Sequence, residues 1–394
     1  MFEAPPWPDF LANCGVFARS AAAAAPHVRS FLAERYGPGD LEAWLGETRA
    51  RLVDLLHYAP PATDLAPEVA AREDGDGYTR ETVWISTAPW SRLRCEVLVP
   101  ARPRDGQWPA PAIVALHCHG GWYRWGREKI VAPADQSNEN PALTRYRQTN
   151  YGGRAYANEL ARRGYVVAVI DSFYFGERRL LWQHGAWPEP YRAEEAALEP
   201  DGEEWLTLLN RAHKETQNRV AGAIFQAGLT WPGVFAWDDR RTIDYLQTRP
   251  EVDPDRISVV GLSVGGFRSA LLAAVDERIR AAVAVGWLCG LGELWPVGRW
   301  PNSLGWVHYV PGMYQELDLP DAMALACPRA LLVMQNRDDL LFPPEGMERA
   351  VAKIGASFAK AGAADRFRAR IGDGPHEFNV AMQEEAFAWL DQQL

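Results

Sequence analysis

The chain of 394 residues carries 41 basic and 51 acidic side chains, a formal charge of −10, with 47% hydrophobic and 23% charged residues. That composition supplies a full core and excludes a disordered chain, a collagen-like fibre and a small disulfide-stapled scaffold. The acidic balance and the lack of any Lys/Arg run exclude a phosphate-backbone binder, so no nucleic-acid partner is expected.

The first ten residues, MFEAPPWPDF, are acidic and interrupted by proline, the reverse of a secretory leader. The longest apolar stretch, 281–291, is broken by Gly286 and Gly290. It falls short of the ~18–20 residues that span a bilayer. Cys14, Cys95, Cys118, Cys289 and Cys327 show no C-x-x-C spacing, which argues against a disulfide framework or a zinc cage. A cytoplasmic protein without membrane contact is the expectation.

Residues 1–78 read as a helical N-terminal extension. Asp40 is placed to cap a helix running to Tyr58, with Leu41, Trp44, Leu45, Leu52, Leu55 and Leu56 on one face. The Pro60-Pro61 pair ends it. Such an element packs on the domain or joins two copies in a homo-oligomer. From Thr82 the period becomes two, and 82–87 and 92–99 read as an antiparallel pair at a sheet edge. Continuous apolar runs follow at 112–117, 165–170, 256–260, 281–285 and 329–334, as strands buried on both faces require. Helical patterns at 151–163, 234–248, 264–275 and 344–361 separate several of them, and a strand at 366–371 precedes a helix at 381–393. This alternation predicts an α/β fold, a mostly parallel sheet with helices on both faces, filling 79–394.

Two segments, about 174–232 and 286–328, are longer than strand–helix links need. Each holds four of the 17 tryptophans: Trp182, Trp187, Trp205 and Trp231, then Trp287, Trp295, Trp300 and Trp306. Long connections in a compact domain are usually lids or binding loops.

The chemistry centres on Gly261-Leu262-Ser263-Val264-Gly265, which follows an apolar strand and opens an apolar helix. That setting is a nucleophile elbow, a turn so sharp that the flanking residues must be small. Serine needs a base to take its proton and an acid to orient the base, here in the chain order Ser, acid, His. His308 comes too early, within the second long connection, whereas His376 follows the last strand. Asp338 and Asp339 compete as the acid. The oxyanion needs two backbone donors. Val264 is one, and the loop His117-Cys118-His119-Gly120-Gly121-Trp122 offers the other. A His-Cys-His metal site in that loop lacks further ligands at regular spacing.

These residues resemble the α/β-hydrolase family, and within it the dienelactone-hydrolase-like and acetyl-xylan-esterase-like serine esterases. The likeness runs through roughly 40–394. It includes Asp253-Pro254-Asp255-Arg256-Ile257 leading into the elbow, and Asp171 followed by Phe175-Gly176-Glu177-Arg178. The resemblance implies Ser263 as nucleophile, His376 as base and Asp339 as acid, because the family's acid is followed four residues later by proline, here Pro343. It implies Gly121 as the second oxyanion donor. Dienelactone hydrolases proper use cysteine where Ser263 stands, so their substrate is not expected. Trp122 and Trp287 are candidate substrate contacts. The expectation is carboxylic ester hydrolysis of a small-molecule ester through an acyl-enzyme, without metal or cofactor. Amide, lactone or peptide hydrolysis with the same triad, or a non-catalytic ligand-binding protein, are the alternatives.

Overall fold

The computed structural model describes residues 28–181, 189–294 and 305–394. Nine strands form one sheet: β1 (Glu68–Asp74), β2 (Tyr78–Ala88), β3 (Ser91–Pro100), β4 (Ala110–Leu116), β5 (Val166–Ile170), β6 (Val252–Leu262), β7 (Ile279–Val285), β8 (Ala330–Asn336) and β9 (Phe367–Gly372). Their spatial order is β1-β2-β3-β5-β4-β6-β7-β8-β9. Pairs β1/β2, β2/β3 and β3/β5 are antiparallel, and the rest are parallel.

The predicted strands are all present, and β1 is an addition that begins inside the segment read as helical extension. Every residue of β1 except Glu73 is exposed, so it carries no apolar signal and is held by its ladder to β2. The apolar runs split by period two between the two faces of the sheet. In β5, Val166, Ala168 and Ile170 face one core cluster while Val167 and Val169 face the other.

The first cluster is covered by α1 (Leu41–Leu56) and by the helices over 231–247, 264–275 and 344–360; the second by the helices over 156–162 and 380–393. The helix predicted over 151–163 is confined to α3 (Tyr156–Arg162), and an unpredicted helix, α2 (Pro141–Tyr151), ends just ahead of it. Gly152 and Gly153 both take positive φ between them and end the first helix. The remaining long helices are α4 (Glu203–Gln226), α5 (Trp231–Gln247), α6 (Val264–Val275), α7 (Pro344–Lys360) and α8 (Val380–Gln393). None among the described residues is long and apolar enough to cross a membrane.

Helix α1 stops at Leu56 with His57 left-handed, and Asp40 does not cap it: its carboxylate accepts from the Gly37 N–H at 2.7 Å. The apolar stripe of α1 is buried within the chain, with Leu56 C=O accepting from Thr230 Oγ1 at 2.5 Å. That stripe is therefore not the surface available to a second copy.

One buried ion pair anchors the elbow helix. Arg268, on α6, reaches Asp239 on α5 through Nε at 3.0 Å and Nη2 at 2.5 Å, with both residues 1% exposed. Burial pushes the Asp239 carboxyl up while Arg268 draws it down. Removing one partner leaves an uncompensated buried charge. Arg268→Met should lower unfolding free energy by about 3–5 kcal/mol, read as a lower denaturant midpoint. Arg268→Met with Asp239→Leu should recover most of that loss. A single variant as stable as wild type would show that the pair contributes nothing.

Candidate active site

The six strands β4 to β9 run parallel, so their carboxyl ends open on one side of the sheet. Ligand sites in α/β sheets lie there. The loops leaving those ends carry His119 to Trp122, Ser263, Gly286 and Trp287, Asp339, and His376.

Ser263 sits between β6 and α6 at φ 60, ψ −120, a conformation that costs a non-glycine residue about 1–3 kcal/mol. Its N–H donates to Val285 C=O at 2.8 Å and its C=O accepts from Phe267 N–H at 2.8 Å, which hold the turn. The glycines are steric necessities. A Cβ on Gly261 would lie 2.5 Å from the backbone of Gly265, and one on Gly265 would lie 2.3 Å from Leu116 C=O. Gly265→Ala should therefore cost about 2–3 kcal/mol through a backbone clash, measured by thermal unfolding. An unaltered melting temperature would contradict that packing. Val264, the first residue of α6, is buried, and its N–H is among the four that a helix leaves without an intrahelical partner.

His376 Nδ1–H donates to Asp339 Oδ2 at 2.6 Å. Asp339 is 2% exposed, and its other oxygen accepts from Leu341 N–H at 2.9 Å. Asp338 is exposed and accepts from Gly374 N–H at 3.0 Å, lacing the loop after β8 to the loop after β9. Asn336 Nδ2 donates to Pro375 C=O at 2.8 Å and strengthens that lacing. Gly286, which the sequence marked only as a break in an apolar run, lies under the imidazole. A Cβ there would stand 3.1 Å from His376 Cε1, and the Gly286 φ is +61. Because Val285 C=O bonds Ser263 N–H, this contact brings the His376 ring beside the elbow.

The loop after β4 is ordered from behind by Lys129, which sequence reasoning missed. Lys129 is fully buried, and its Nζ donates to Cys118 C=O at 3.0 Å and His119 C=O at 2.9 Å. Burial pulls its pKa down to about 8. Its ammonium faces the Phe175 and Tyr146 rings at 4.9 and 5.3 Å. Cys118 Sγ lies 2.7 Å from Tyr146 Oη and accepts from Tyr151 O–H at 2.9 Å. Gly120 has φ +56, and a Cβ there would strike Tyr146 Oη.

The two histidines of this loop point to separate partners. His117 Nδ1 lies 3.0 Å from Cys118 C=O, and its Nε2 accepts from Ser172 N–H at 3.0 Å. Desolvation holds its pKa well below the usual histidine range. His119 Nδ1 accepts from the Gly121 N–H at 2.9 Å, and burial with the nearby Lys129 charge lowers its pKa to about 3. The Gly121 donor is thus turned onto His119 within its own loop. Trp122 is half-buried and stacks on Trp125, with centroids 5.4 Å apart and planes 18° apart.

The two long connections meet above this edge. Helix α4 belongs to the first, and its Asn210 Oδ1 accepts from Tyr123 N–H at 3.0 Å, while His213 stacks on the Tyr123 ring at 5.0 Å. Trp306 of the second donates to Asn218 Oδ1 and packs on Phe225, both on α4. The tryptophans do not all line a cleft. Trp205, Trp231 and Trp287 are all core residues, 5%, 1% and 3% exposed, and Trp287 packs on Phe267 of α6, one turn after Ser263. Trp182, Trp187, Trp295 and Trp300 lie outside the described residues.

The strand order, the turn at Ser263 and the strand-end loops define an α/β-hydrolase fold. The sequence model of a family described as "Abhydrolase family" matches residues 195–370. The chain is 25% identical over 350 residues to a Bacillus subtilis (strain 168) protein named "Putative hydrolase YtaP", spanning 88% of this chain and 99% of that one. Among solved structures, it is similar to a "putative acetyl xylan esterase" from Bacteroides fragilis NCTC 9343. That match has a TM-score of 0.68 and 19% identity, and covers 94% of this chain and 82% of that chain. It is also similar to a glucuronoyl esterase from Solibacter usitatus, with TM-score 0.59 and 17% identity, over 89% of this chain and 93% of that chain.

Proposed function

We propose that the protein is a serine esterase that cleaves carboxylic esters through an acyl-enzyme. The observation that carries this reading is a serine on a strained strand-to-helix turn, with a His–Asp pair held at the same edge of the sheet, the imidazole over Gly286. Ser263 Oγ attacks the ester carbonyl while His376 Nε2 takes its proton. Asp339 keeps the imidazole proton on Nδ1 and stabilises the imidazolium that forms. The Val264 N–H meets the oxyanion, and the Gly121 N–H, which His119 Nδ1 holds in the free protein, is the second donor. His376 then protonates the leaving alcohol, and water repeats the sequence on the acyl group. The printed names of the structural neighbours, an acetyl xylan esterase and glucuronoyl esterases, favour an ester over an amide.

The direct test is a fluorophosphonate probe followed by intact mass. One covalent adduct per chain is expected, together with turnover of p-nitrophenyl acetate. A folded wild-type protein that takes no adduct and turns over no ester would overturn the reading.

A further inference from the structure

His308 was set aside as a base because it precedes the acid in the chain. The fold nevertheless brings it to the site. Its ring lies 4.9 Å from Phe267, one turn after Ser263 on α6, and stacks on Trp287 with centroids 5.4 Å apart and planes 18° apart. Phe267 and Trp287 are themselves 4.6 Å apart. Trp287 follows Gly286, the residue under the His376 imidazole. His119 is near enough for His308 to depress its pKa.

Three polar atoms in this group lack partners. His308 is 9% exposed, and among the described residues no well-aligned hydrogen bond reaches Nδ1 or Nε2; the Gly305 carbonyl lies close enough to the ring to act as a weak, poorly aligned acceptor. Trp287 is 3% exposed, and its Nε1–H is equally unpartnered. Native proteins leave few such atoms unsatisfied, because each costs about 1–3 kcal/mol. Two stacked rings with unmet donors and acceptors, both beside the nucleophile, are therefore arranged for something that binds there. Burial keeps the His308 imidazole neutral, with its pKa near 3, so it offers one donor and one acceptor. The indole offers a donor only. A hydroxyl group meets this set, since it can accept from one ring and donate to the other. An alkyl group cannot.

We propose that His308 and Trp287 form a subsite for a hydroxyl group of the substrate, so that the enzyme selects hydroxylated esters over their alkyl isosteres. The inference rests on the esterase reading and goes beyond it by naming the substituent and the residues that read it. His308 is a specificity residue here and takes no part in the proton transfers.

The test compares kcat/KM for two isosteric pairs. Glycol monoacetate against propyl acetate places the hydroxyl on the alcohol side. Ethyl β-hydroxypropionate against ethyl butyrate places it on the acyl side. Wild type should favour the hydroxylated member of one pair by at least ~10-fold, since a site built to hydrogen-bond a hydroxyl rejects the analogue lacking it. His308→Phe keeps a stacked ring but no polar atom and should bring that ratio close to one. Trp287→Phe should reduce it in the same direction, and carries the test alone if His308→Phe does not fold. A wild-type ratio near one in both pairs, the outcome if only water satisfies these atoms, would overturn the proposal. So would a ratio that survives in both variants. If fluorophosphonate labels the protein and the ratios are near one, this inference alone fails. If there is no label and no turnover of any of the four esters, the esterase reading fails and this inference with it.

Discussion

Ser263→Ala is expected to abolish both the fluorophosphonate adduct and ester turnover, with kcat falling roughly 10⁶-fold as in triads whose nucleophile is deleted. The position needs little from the side chain structurally. Its φ of 60 strains any non-glycine residue alike, and the turn is held by backbone bonds to Val285 and Phe267. Fold and melting behaviour should therefore stay close to wild type while the chemistry is lost. His376→Ala should cost a similar factor, and the double variant little more, because residues acting as a unit are not additive. Initial rates on p-nitrophenyl acetate and intact mass after labelling decide the matter. A Ser263→Ala protein that keeps a tenth of wild-type turnover would place the nucleophile elsewhere.

The second large effect separates two neighbouring carboxylates. Asp339→Asn should lower kcat by about 10⁴-fold. An amide at that position turns an N–H toward His376 Nδ1 and favours the wrong imidazole tautomer. Asp338→Asn should change kcat only a few-fold. Its carboxylate is exposed and accepts from Gly374 N–H, a bond that an asparagine oxygen can keep. The comparison has a built-in fold control, because both residues lie on one loop. Equal losses in the two variants would mean that the loop as a whole, rather than one carboxylate, sets the rate.

How far each feature was legible depends on the range of the physics behind it. The strand-to-helix turn at Ser263 is a local steric problem, solved by Gly261 and Gly265 around it, and five consecutive residues state it. The buried strands are period-two patterns in which both faces are apolar, and they read plainly. Asp339 was separable from Asp338 only through its spacing to Pro343 in a family pattern. In the fold the two carboxylates differ in burial, and Asp339 is the one bonded to His376. Strand β1 was illegible because its side chains are exposed and its stability lies in a backbone ladder. The helix read across 151–163 missed the weight of two adjacent glycines.

The tryptophan excess shows the same division. The sequence placed eight tryptophans in two long connections, yet could not say which of them form core. Packing buries Trp205, Trp231 and Trp287 alike, and of the three it sets Trp287 against Phe267, one turn after Ser263. Sequence by itself determined the fold class, the elbow and the order of the catalytic candidates, because periodicity and short-range sterics are written in neighbouring residues. Only the tertiary structure decided that Lys129 holds the loop carbonyls, that Gly286 makes room for the His376 ring, and that His308 packs against Phe267 and Trp287. Those roles depend on which distant segments meet and on whether a buried polar atom finds a partner, and no local pattern of residues encodes that.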